Sequence, residues 1–65
     1  MNETLNGHFD NSDQARNARR DMIAAGIPQD KIYVDEEKQL IKVIIPAAEA
    51  RQIREIFETH DISEQ

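Results

Sequence analysis

The chain has no cysteine and no tryptophan, and only two glycines and two prolines in 65 residues. Without cysteine, neither a disulfide framework nor a thiolate-bound zinc can stiffen it. Two glycines are too few for a glycine-rich phosphate loop. No apolar run approaches the ~20 residues that a membrane-spanning helix needs. Met1 is followed by polar residues, with no basic and then apolar leader, so no secretory signal is expected. These absences lead to the expectation of a cytoplasmic protein with no membrane partner and no cofactor.

What is there is mostly charge. Thirteen acids against eight lysines and arginines give a formal charge of −5. That argues against a general binder of nucleic acid, which depends on many cationic contacts to phosphate, and it favours solubility. The length makes one domain, residues 1–65, with residues 1–3 and 63–65 expected to be flexible. A chain of this size buries only about 60% of its unfolded surface, and its core supplies no more than roughly 3–5 kcal/mol of net stability. With disulfides and thiolate metals excluded, self-association is the expected supplement.

Thr4 to Phe9 alternates, with Leu5, Gly7 and Phe9 on one side and Thr4, Asn6 and His8 on the other; this is the pattern of a half-buried strand. Gly7 marks a bulge or the close approach of a helix. A helix follows. Asn11 and Gln14 have capping-box spacing, Asp13 suits the first turn, and Ala15, Ala18, Met22 and Ala25 form a narrow apolar stripe. Gly26, Ile27 and Pro28 are the expected stop. Lys31 to Asp35 alternates again, with Ile32 and Val34 inward and Tyr33 outward. The charged turn after it lacks glycine, so its loop should exceed two residues. Leu40 to Pro46 is the third strand, and Ala47 to Asp61 the second helix, with a stripe of Ala50, Ile53 and Phe57. Arg51 with Glu55 and Arg54 with Glu58 have the spacing of helical ion pairs.

The order β-α-β-β-α, with a possible short last strand, predicts an α+β ferredoxin-like two-layer sandwich. Both helices lie on one face of the sheet, and the third strand lies between the first and second. Ile41, Val43 and Ile45 should face the helices. Tyr33, Leu40 and Ile44, with Lys42 among them, then occupy the bare face and are the candidate interface of a homodimer. Competing readings are another protein partner, cover by long neighbours such as Lys42, and a register slip of one residue, which would exchange the two faces.

Several motifs resemble a small bacterial domain found in general-stress and heat-induced stress proteins, many of them uncharacterised. The resemblance runs from Gly7 to Ile62. It rests on a G-x-F-D strand start at Gly7, Phe9 and Asp10, an A-A-G helix end at Ala24, Ala25 and Gly26, and an I-x-V strand at Ile32 and Val34. It closes on His60, Asp61 and Ile62. Asp61 stands where that family usually has glycine. The resemblance implies a ferredoxin-like fold and an association with stress, and no catalytic residue.

No residue pattern points to catalysis or a metal. His8 and His60 do not form a metal-binding pair at helical spacing; Ser12 and Ser63 lie in no nucleophile elbow, and Ser12 suits helix capping. Asp35, Glu36 and Glu37 are a turn run. Arg16, Arg19 and Arg20 cluster on the first helix, with Arg16 and Arg20 sharing a face. Their forked guanidinium groups suit carboxylate or phosphate, and Arg51 and Arg54 would extend the basic region if the helices lay side by side. Nucleic-acid or acidic-partner binding through these arginines is therefore the alternative function. Reading RNA on the sheet would need stacking aromatics there, and only Tyr33 is available.

Overall fold

A computed structural model describes residues 1–65. The alternating segments form strands β1 (Asn2–His8), β2 (Ile32–Asp35) and β3 (Leu40–Pro46), the alanine-rich stripe forms helix α1 (Ser12–Ala24), and the second stripe forms α2 (Ala50–Thr59). A two-residue strand, β4 (Ser63–Glu64), closes the chain. The sheet is antiparallel, in the order β2-β3-β1-β4. Both helices cover one face, making a two-layer α+β sandwich, and no helix is long and apolar enough to cross a membrane.

The core is a single cluster between the layers. Leu5, Ile41, Val43 and Ile45 from the sheet meet Ala15, Ala18 and Met22 of α1 and Ala50, Ile53 and Phe57 of α2. The register Leu5↔Val43 and Gly7↔Ile41 sets these side chains on the helix side. Alanine on α1 lets its axis come close to the sheet. The total exposed surface is 4295 Å², against roughly 4,200 Å² for a folded monomer of this mass, so one copy closes its own core.

Both helices begin or end by identifiable chemistry. The Asn11 side chain accepts from the Gln14 N–H, and the Gln14 side chain accepts from the Asn11 N–H, completing the capping box. At its far end, Gly26 takes φ 100°; its N–H donates to Ile23, and that of Ile27 to Met22, the paired bonds of a Schellman stop. The same bonds end α2, from Asp61 to Glu58 and from Ile62 to Phe57, but there the left-handed position is held by Asp61, at φ 57°.

Several boundaries differ from expectation. The α2 helix starts at Ala50 rather than Ala47, because Ala47 donates its N–H to Met1 across the sheet and Ala47–Glu49 winds as a tight 3-10 turn. Residues 2 and 3, expected in a flexible end, pair with Pro46 and Ile45, since β3 runs far enough to receive them. Ser63 and Glu64 pair with His8 and Gly7. Val34 points to the helix side as expected, yet it is 39% exposed, because β2 is an edge strand and nothing flanks it outwardly. The β2–β3 loop is four residues, Glu36 to Gln39, and Gln39 at φ 58° turns the chain into β3.

Gly7 marks the close approach of a helix. A Cβ there would collide with Ile62 and come within 3.0 Å of the Phe57 ring.

Candidate functional site

The face of the sheet away from the helices carries the even-numbered side chains of β3. Leu40 and Ile44 are half-buried and Lys42 is exposed between them. On one side β1 sets His8, Asn6 and Thr4 opposite Leu40, Lys42 and Ile44. On the other, β2 sets Asp35 opposite Leu40 and Tyr33 opposite Lys42. Tyr33 is 50% exposed, and the Lys42 ammonium lies 5.9 Å from the centroid of its ring, a cation–π distance worth little at an exposed site. Asn6, Tyr33, Asp35, Lys38, Leu40 and Lys42 line a shallow concavity of about 370 Å³. Ile44 borders a different one, of about 300 Å³, at the end of the sandwich near Pro28 and Pro46.

The face therefore joins an apolar strip to two exposed lysines, Lys38 and Lys42, and one carboxylate, Asp35. All four expected interface residues lie on it. The register slip that would have turned Leu40 and Ile44 under the helices does not occur: Ile41 and Val43 are fully buried and Ile45 is 2% exposed.

The arginines are less of a unit than their spacing suggests. Arg16 pairs with Asp13 at 3.2 Å, with both side chains about two-thirds exposed or more, a geometry that contributes little. Arg16 and Arg19 line an open concavity with Ser12, Ala15, Val34 and Glu36. Arg19 and Arg20 make no ion pair. The basic region is not extended by Arg54, which turns to the sheet, with Nε 2.8 Å from Glu64 and a terminal nitrogen 3.8 Å from Glu3. The expected pairs Arg54–Glu58 and Arg51–Glu55 do not form. For Arg54 the reason is β4, which presents a carboxylate in bidentate reach with better geometry than its own helix offers. The hydrogen bond from Arg54, with its charge, holds the Glu64 carboxyl below the usual glutamate range despite an opposing desolvation.

Other polar contacts tie the layers together. Ser12 is not the cap; its hydroxyl donates to Glu36 at 2.6 Å, joining α1 to the hairpin loop. His60, at the end of α2, meets Asp21 of α1 at 2.6 Å through Nε2. The Gln14 amide donates to the carbonyls of His60 and Asp61, so one residue completes the cap of α1 and fastens the end of α2. Sequence spacing gave no sign of these contacts, which join residues 24 to 47 positions apart. His8 stands on the polar edge of the open face, opposite Leu40 and Ser63. No three His, Asp or Glu side chains are arranged to hold a metal.

No protein-family model, no curated protein and no solved structure matches the chain.

Proposed function

We propose that this protein is a non-enzymatic accessory or regulatory module that acts by protein–protein contact, as a cytoplasmic homodimer joined through the open face of a ferredoxin-like sandwich. The strand order, with β3 between β1 and β2, supports the ferredoxin-like reading. The observation that carries the contact is the parity of β3. Ile41, Val43 and Ile45 complete the core, so Leu40 and Ile44 have no covering layer within the chain. The face is also self-complementary in charge: a second copy turned about a two-fold axis can set its Lys42 against Asp35, both of which share the face with Tyr33. A stress setting is proposed on the resemblance alone.

The test is the solution mass of two variants. Leu40→Lys and Ile44→Glu place charges on the face and should each abolish the face contact, giving a monomer by light scattering at dilution. Arg16→Ala with Arg20→Ala should leave the dimer intact. A dimer in which residues 40 and 44 still contact the other copy after both substitutions overturns the reading.

A second reading, binding of nucleic acid or an acidic partner through α1, is favoured by the unpaired guanidinium groups of Arg19 and Arg20. Salt separates the two. Each copy carries −5, so screening should strengthen self-association, whereas contact with phosphate should weaken steeply as salt rises.

A further inference from the structure

The β2 strand is an edge with backbone groups facing outward. The Asn6 carbonyl accepts from the Gln65 N–H, so Asn6 points its backbone toward β4. By the alternation of an antiparallel ladder, Glu3, Leu5 and Gly7 then bond to β3 at Ile45, Val43 and Ile41. The Phe9 N–H, which donates to Gln39, follows the same parity. Leu40 and Lys42 consequently bond to β2, at Asp35 and Tyr33. That leaves the N–H and carbonyl of Val34 and the carbonyl of Ile32 directed away from the sheet. The Ile32 N–H is taken by Gln29, in agreement.

Apart from its shortness, four residues, this edge lacks the usual protection. Edge strands are also blunted by proline, by a central lysine, by a bulge or by a covering loop. Residues Ile32 to Asp35 contain neither proline nor lysine and run in unbroken register with β3. Tyr33 and Val34 are exposed there. The opposite edge, β4, is only two residues long.

We propose that β2 pairs with β2 of a second copy, antiparallel about a two-fold axis through Tyr33 and perpendicular to the sheet. This register sets Tyr33 beside its own equivalent. It sets Ile32 opposite Val34 on the helix side, and it brings Asp35 toward Lys31, the last residue of the 3-10 turn that leads into β2, twice over. Apolar residues meet apolar ones and each cation meets a carboxylate. Val34 N–H donates to the Ile32 carbonyl of the other copy, and the reverse, giving two backbone hydrogen bonds. The axis preserves the faces, so two four-stranded sheets become one continuous sheet with all helices on one side. A register centred between Tyr33 and Val34 would instead set Ile32 against Asp35. The second copy is favoured over a foreign strand because the segment is complementary to itself in both polarity and charge.

This contact is separate from that of the open face. It is tested in the Leu40→Lys, Ile44→Glu double variant, whose fold is checked by circular dichroism and in which the face contact is removed. Concentrating that protein should still convert the 7.5 kDa species to a larger one. Val34→Pro removes the outward N–H without touching the monomer's own ladder, since that group faces away from β3. It should weaken the association about tenfold or more, as the loss of two hydrogen bonds implies. In the unmutated protein, the Val34 amide should gain protection from hydrogen exchange as concentration rises. A double variant that is monomeric at every concentration, or a Val34 amide whose exchange ignores concentration, overturns edge pairing whatever the face does.

Discussion

Asp61 holds a left-handed conformation, φ 57°, that costs an ordinary residue roughly 1 kcal/mol and glycine almost nothing. The position is forced, because the N–H groups of Asp61 and Ile62 close the end of α2 on Glu58 and Phe57, and Ile62 must then enter the core. Asp61→Gly should therefore raise stability by about 0.5–1 kcal/mol, measured as an upward shift in thermal midpoint. An unchanged or lower midpoint would show that the Asp61 side chain contributes something the backbone account omits. Gly7 shows the opposite constraint. Its missing side chain is the space in which Ile62 and Phe57 pack. Gly7→Ala should destabilise by about 1–3 kcal/mol, the usual cost of overpacking a closed core, and chemical denaturation would measure it. In a domain whose core supplies no more than roughly 3–5 kcal/mol, that change removes a large share of the stability.

At the scale of elements, the least secured is β4. Two residues pair with β1, the Gln65 N–H adds one bond to Asn6 at 2.7 Å, and Arg54 clamps Glu64 from α2. The Glu64 carboxyl is held below its ordinary range, first by the hydrogen bond from Arg54. A depressed folded value gives a contribution that is fully present above the unfolded value, about 4.3, and is lost as pH falls through the folded one. Protection of the Gln65 amide from hydrogen exchange should therefore fall as pH drops through the acid range. In Glu64→Gln it should be lower at neutral pH and lose this dependence. The helices hold each other by a different device, the His60–Asp21 contact and the Gln14 amide on the end of α2. Both originate in side chains that cap or follow a helix, so the caps also set the distance between the two helices.

For the whole molecule, the alternation of β3 was the most informative part of the sequence. Its period of two assigned Ile41, Val43 and Ile45 to the core and left Leu40 and Ile44 on the far face, as the register has them. The capping box and the glycine stop of α1 were equally legible, because each is a local pattern of a few residues. The short last strand was foreseen, but β4, with two residues, has no period to fix its bounds. What escaped was non-local. Arg54 abandons its own helix for a strand ten positions on, and Val34 keeps the right side of the sheet while lying at its edge. Spacing shows that Arg16 and Arg20 share a helix face, but not that Arg54 is drawn off to Glu64 and Glu3 of the sheet.

The account depends on what touches Leu40 and Ile44 in solution. Isotope-filtered nuclear Overhauser spectroscopy on a mixture of labelled and unlabelled copies measures this directly. The prediction is intermolecular contacts from the Leu40 and Ile44 methyl groups to the Tyr33 ring and the β1 face of another copy. Methyl groups that report only neighbours within their own chain, in a sample that stays at 7.5 kDa when concentrated, would contradict it.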